Sequence, residues 1–280
     1  MPGLTHDLVN GLIRPGRPHR IMERMSSSSA ATSPVPPTRR AITGAWAVHA
    51  LTLSGLLWAL LALKSLSDGN IAAMWGWLGV ALIVDGLDGS LARRARVREV
   101  IPWFDGTTLD NLVDYLTWTF IPALFIATHI DLGSDTWAWA AAALICISSM
   151  FCYCNTGVKS FDFFFVGFPA AWNVVGVALW ILQLPAWGAG AAIVILAALT
   201  LVPWTYLHPF RVRRLMPFNI VAVTIWIATT GILVADHPHR PAGLLALWWI
   251  SGSWFLLVSA LRTVQGGSAP AAPSAPAAAG

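Results

Sequence analysis

Six of the thirteen acidic residues fall between positions 85 and 114: Asp85, Asp88, Glu99, Asp105, Asp110 and Asp114. On a helix advancing 100° per residue, Asp85, Asp88, Gly89 and Ala92 share an arc of about 100°. Gly106, Asp110 and Asp114 form a second stripe at i, i+4, i+8. Two antiparallel helices joined by a short connection bring the stripes face to face, so four carboxylates converge. Two unit charges about 5 Å apart repel by about 3 kcal/mol at an effective dielectric of 20. Such a group must be protonated or hold cations. All-oxygen ligands without imidazole or thiolate select hard ions, Mg²⁺ or Mn²⁺. Four carboxylates suit two ions, an arrangement that clamps a phosphoryl group between attacking and leaving oxygens. Gly89 and Ala92 leave room for a nucleotide against the helix. A plainer reading assigns Gly86, Gly89 and Ala92 to close helix packing and Asp110 to the start of a helix.

The elements that position these residues are set by a scarcity of charge. Of 280 residues 11% are charged and 56% hydrophobic, with 16 Trp, where a soluble domain carries about 25% charge. Mean hydropathy is +0.66. This composition excludes a soluble globular domain, a disordered chain, a coiled coil and a disulfide scaffold. It predicts an all-α polytopic membrane protein. Eight apolar segments, at 42–63, 70–92, 108–128, 136–156, 166–184, 188–207, 217–235 and 242–262, are each long enough to span. With the basic amino-terminal tail inside, the 93–107, 157–165 and 208–216 connections lie inside too, and only Lys64 and Arg240 of 17 Lys and Arg fall outside. That segregation orients the chain with both termini cytoplasmic and accounts for the net charge of +4 without nucleic acid as a partner. Residues 1–40 read as a disordered basic cytoplasmic tail, 41–265 as the transmembrane domain and 266–280 as a disordered Ala/Pro tail. No apolar run follows the first charges, so a cleaved leader is not expected. Cys146, Cys152 and Cys154 lack metal-ligand spacing and read as reduced small hydrophobes.

The two stripes lie within the runs Asp85-Gly86-Leu87-Asp88-Gly89-Ser90-Leu91-Ala92-Arg93 and Gly106-Thr107-Thr108-Leu109-Asp110-Asn111-Leu112-Val113-Asp114. They resemble the signature of the CDP-alcohol phosphotransferases, D-x2-D-G-x2-A-R-x8-G-x3-D-x3-D, in every residue type and in order. Twelve residues separate Arg93 from Gly106 where the general pattern has eight. The longer connection, with the stretches at 98–106, 164–175 and 208–215, resembles the bacterial phosphatidylcholine synthase branch. The resemblance covers about 40–262.

It implies transfer of the phosphatidyl group of CDP-diacylglycerol to choline, with release of CMP, at the cytoplasmic face of the bacterial inner membrane. Asp85, Asp88, Asp110 and Asp114 would hold two ions, Mn²⁺ or Mg²⁺. Asp114 would also be the general base for the choline hydroxyl. Asp85, Gly86, Asp88, Gly89, Ala92, Arg93 and Gly106 would line the site for the CDP moiety. The partners are then the two substrates and the bilayer, with a homodimer as an admitted oligomeric state. A quaternary ammonium is held by aromatic faces, and Tyr115, Trp118, Tyr153 and Trp172 are the candidates near the cytoplasmic side. Arg211, Arg213 and Arg214 serve topology, or the phosphates of donor or lipid headgroups. Other acceptors (serine, glycerol phosphate, inositol phosphate) and a CDP-choline donor fit the short motif. A divalent-cation transporter is the alternative of another class, although such sites lie near the bilayer midplane on broken helices.

Overall fold

A computed structural model describes residues 36–155, 164–208, 212 and 215–265. Helices dominate the described residues. α1 (Arg39–Ser67) and α2 (Ile71–Arg94) form an antiparallel pair, and α3 (Val97–Val100) is a single turn in the connection that follows. α4 (Gly106–Asp114), a π-helical turn (Tyr115–Phe120) and α5 (Ile121–His129) run on without a break. Then come α6 (Asp135–Cys154), α7 (Trp172–Leu182), α8 (Ala186–Leu199), α9 (Met216–Ala235) and α10 (Ala242–Val264). One antiparallel ribbon departs from the all-α expectation: β1 (Phe165–Val166) pairs with β2 (Thr205–Tyr206) in the register Phe165–Tyr206 and Val166–Thr205.

Local chemistry sets the boundaries. Asn70 caps α2 by accepting from the Ala73 amide at 3.1 Å, and Ser134 caps α6 through the Trp137 amide at 3.4 Å. Pro185 and Pro241 precede α8 and α10, and Pro217 lies in the first turn of α9, where a missing N–H costs nothing. The π-turn leads into Pro122, which has no amide to give and whose ring would crowd the carbonyl four residues back. Widening the helix answers this: the Ile121 amide donates to Leu116, five residues back.

Five helices, α1, α2, α6, α9 and α10, are long and apolar enough to cross a membrane. Their apolar windows are only 17–33% buried within the protein, and residues such as Leu60, Ile83, Ile147 and Ile250 point outward. Apolar surface on this scale matches a lipid solvent, so the protein is membrane-integral. The fifth and sixth expected segments form shorter helices than their composition suggested. α7 begins only at Trp172 because Pro169 bars Phe168 from helical geometry and Gly167 adopts φ +85°, a turn in which a Cβ would stand 2.6 Å from the Thr200 carbonyl. The ribbon occupies the residues that α7 and α8 leave. Its backbone is satisfied by α10, with the Thr205 and Leu207 amides donating to Thr263 and Ser259 at 3.0 and 2.9 Å.

The buried stripe of α1 is Ala45, His49, Thr52, Gly55, Ala59, Ala62 and Leu66. These small and polar residues at three- and four-residue spacing let α1 settle against both α2 and α4. A Cβ on Gly55 would collide with the Val113 side chain of α4. α1 is therefore a third wall behind the two acidic stripes.

Candidate functional site

Asp85 and Asp88 lie one turn apart in the second half of α2, and Asp110 lies in the middle of α4. One carboxylate oxygen from each falls within 4.8 Å of the others. The expected convergence of two helices is thus present for three of the four carboxylates. Asp88 is the deepest, 5% exposed, while Asp85 and Asp110 are half-buried. The donor set is all oxygen, crowded and mostly withheld from bulk water, which fits a hard divalent ion.

The third wall takes part directly. The Thr52 hydroxyl of α1 donates to Asp88 Oδ2 at 2.8 Å. It orients the carboxylate from behind without bringing a positive charge to it. Partners of this kind behind a metal ligand change affinity by about 10–100-fold when removed. Thr52→Val is expected to weaken divalent-ion binding by about that factor, with Thr52→Ser recovering most of it. A titration of activity with Mn²⁺ reads both, and an unchanged ion requirement in the valine variant would show that Thr52 does not hold the ligand.

The small residues of α2 do not pack as the plainer reading supposed. Among the described residues, a Cβ on Gly86 would meet nothing within 4 Å, and one on Gly89 would meet only Arg93 Nη1 of its own helix at 3.4 Å. The flank of α2 beside the carboxylates is open. Ala92 is different: it packs on the cluster of Ala45, Val97 and Ile101 that docks the 95–105 connection onto α1. Arg93 is exposed and donates to Ser90 at 3.0 Å. Gly106 faces α1, where a Cβ would stand 2.7 Å from His49 Cε1.

Helix capping falls to Asp105 and not to Asp110. Asp105 Oδ1 accepts from the Thr107 and Thr108 amides at 2.9 and 3.2 Å, and Oδ2 from the Thr108 hydroxyl at 2.7 Å. The Thr108 hydroxyl and amide, then the Thr107 amide, hold the Asp105 carboxyl below the usual carboxylate range, with Arg98 adding to the effect. With that duty met, Asp110 is left to the acidic group.

Asp114 stands outside the three-carboxylate group, one turn beyond Asp110 where α4 gives way to the π-turn. It interacts electrostatically with Tyr153 of α6, as does Asp85. The Tyr153 ring meets Tyr115 edge-on at 5.6 Å. Two of the aromatic candidates are therefore gathered next to the carboxylates, and the partly buried Trp118 lies in the same π-turn. Trp172 is fully buried, donates from its indole nitrogen to Ser149, one turn before Tyr153 on α6, at 2.9 Å and packs edge-on against Phe168. It belongs to the core because its polar atom and its faces are already engaged. Arg211, Arg213 and Arg214 lie outside the described residues. None of the three cysteines is in a disulfide.

Thr52, which bonds Asp88, and His49, which lies against Gly106, are the neighbours of the candidate site that sequence reasoning missed. Their signal was present as polar positions on the small-residue stripe of α1, three residues apart.

No family model matches the sequence. Whole-protein relatives do. The phosphatidylcholine synthase of Pseudomonas aeruginosa is 47% identical over 221 residues, covering 79% of this chain and 92% of that protein. Those of Rhizobium johnstonii and Agrobacterium fabrum are each 36% identical over 217 residues, covering 78% of this chain and 89% and 90% of theirs.

Proposed function

The chain belongs to the phosphatidylcholine synthase family, and from that premise we propose that it transfers the phosphatidyl group of CDP-diacylglycerol to choline at the acidic site between α2 and α4. The observation that carries this reading is the gathering of Asp85, Asp88 and Asp110 within 4.8 Å beside an open, glycine-bearing flank of α2.

Asp85, Asp88 and Asp110, with Asp114 at the edge, would hold two divalent ions, Mn²⁺ or Mg²⁺. Bound there, such ions neutralise the diphosphate and make CMP a better leaving group. The rest falls to side chains. Asp114 takes the proton of the choline hydroxyl. The choline oxygen bonds to the phosphorus that carries diacylglycerol, and the bond from that phosphorus to the oxygen bridging to CMP breaks. CMP departs with that oxygen, and the proton passes from Asp114 to water. Tyr115, Tyr153 and Trp118 supply ring faces for the trimethylammonium group, worth about 2 kcal/mol or more when desolvated. Gly86, Gly89, Ala92, Arg93 and Gly106 border the CDP moiety. Arg211, Arg213 and Arg214 attract phosphate groups of lipids.

We place the protein in the bacterial inner membrane with eight crossings. The continuous run from Gly106 to His129 is long enough for a sixth crossing, and the shorter apolar α7 and α8, together with the apolar residues that flank them, would make the seventh and eighth. Fifteen of 17 Lys and Arg then lie on the side of the acidic site, which supports cytoplasmic termini and a cytoplasmic site. There a membrane-held donor meets a water-soluble acceptor.

Acceptor competition tests the reading. Purified protein in mixed micelles receives CDP-diacylglycerol, Mn²⁺ and one labelled alcohol at a time: choline, serine, glycerol phosphate or inositol phosphate. Label is expected in lipid with choline alone, in step with CMP release. Incorporation of another alcohol in place of choline overturns the acceptor, and absence of CMP release with every alcohol overturns the donor.

A further inference from the structure

Beside the acidic group, α1 carries a polar side chain whose hydrogen-bonding requirement is unmet. His49 is 3% exposed. Its Nε2 is buried without a partner, a condition shared among the described residues with the Trp75 indole nitrogen alone. Leaving a buried polar atom unpaired is costly, and such an atom calls for a reason. His49 is one helical turn, about 5 Å, along α1 from Thr52, which bonds Asp88. It is not a member of the group that could hold a metal.

Its neighbours are flat and uncharged. The Phe104 ring centroid lies 4.5 Å from that of the imidazole and Trp46 lies 5.7 Å away. On another side the backbone of Gly106 approaches so closely that no Cβ fits. The rings of Trp46, Trp103 and Phe104 touch one another at 5.3–6.0 Å, too close to admit a trimethylammonium group between them. With no charged side chain in these contacts, a bare phosphate has nothing to hold it. Aromatic faces and one nitrogen suit a planar, neutral heterocycle with a hydrogen-bonding edge. Phe104, whose ring lies nearest the imidazole, belongs to the connection between α3 and α4 and not to α1 itself.

We propose that His49 binds the pyrimidine base of the donor. Its Nε2 takes a hydrogen bond with the edge of cytosine while the diphosphate lies against Asp85, Asp88 and Asp110. This rests on CDP-diacylglycerol being the donor, and it adds a second α1 residue, after Thr52, to a site whose carboxylates come from α2 and α4.

The test measures Mn²⁺-dependent binding of CDP and of pyrophosphate, which lacks the base, to the detergent-purified protein. His49→Phe keeps a ring against Phe104 and Gly106 but has no nitrogen. CDP affinity is expected to fall about tenfold, the size of one neutral hydrogen bond, with pyrophosphate affinity unchanged and the thermal midpoint no lower. His49→Gln restores a nitrogen and is expected to recover part of the loss. His49→Leu, also without a nitrogen, takes the place of the phenylalanine variant should that one not fold. CDP binding equal to wild type in the nitrogen-free variant overturns the proposal. So does an equal loss for both probes, which would mark a general distortion of the site. Wild-type protein that binds pyrophosphate but not CDP would instead remove the donor reading on which the proposal stands.

Discussion

Asp114→Asn is expected to lower turnover by about 10²–10⁴-fold, the range a positioned general base contributes, while the helices stay in place. The amide matches the carboxylate in shape, so the helical junction at the start of the π-turn is kept. What is lost is the capacity to accept a proton. Asp114 stands at the edge of the ion site, outside the three carboxylates that crowd within 4.8 Å of one another, so its loss is expected to fall mainly on kcat and to raise the divalent-ion requirement far less than loss of Asp88 does. Steady-state rates at saturating choline, with an Mn²⁺ titration alongside, separate the two. Near-normal kcat in the folded variant removes Asp114 from the base role.

Asp88→Asn should fail differently. Asp88 is the most buried member of the acidic group and takes the Thr52 hydroxyl on one oxygen. An asparagine oxygen still accepts that bond, so α1 remains docked. The amide nitrogen, however, replaces an anionic ligand atom with a neutral donor. Even partners one step removed from a metal change affinity by about 10–100-fold, so loss of a ligand is expected to raise the half-saturating Mn²⁺ concentration by at least about 100-fold. Spectroscopic titration of bound Mn²⁺ reads this without turnover. Excess Mn²⁺ should restore part of the activity in Asp88→Asn and none in Asp114→Asn. An unchanged ion requirement removes Asp88 from the ligand set.

The acidic pair of helices was legible because it rests on local spacing. Asp85 and Asp88 three apart, and Asp110 and Asp114 four apart, must share helix faces wherever the helices go. Asp105 was read only as one more acid, although an aspartate directly before Gly106-Thr107-Thr108 carries the pattern of a helix cap. Thr52 and His49 were hidden for another reason. Their importance comes from α1 lodging against two other helices, and nothing in their own neighbourhood announces which helices those are. Segment lengths failed at 166–171 and 200–207, where composition is as apolar as in a span. There the backbone obeys Pro169, Gly167 and Pro203 instead, and the apolar side chains serve a ribbon. The choline candidates divided on burial: the two tyrosines come together near Asp114, whereas Trp172 had its partners in the core.

The π-turn carries a consequence for how this molecule can change. A turn holding about one residue more than its α-helical neighbours offsets the rotation of the two halves by about 100°. The half from Gly106 to Asp114 is phased by its carboxylates, and the half from Ile121 to His129 by Ile121, Phe125 and Ile126, all buried in the main core. Each half keeps its own angular reference, with Tyr115–Phe120 as the joint between them. Core substitutions in the second half can accumulate without turning Asp110 away from Asp85 and Asp88. A one-residue deletion at the joint would leave every side chain's chemistry intact and set the two halves out of phase.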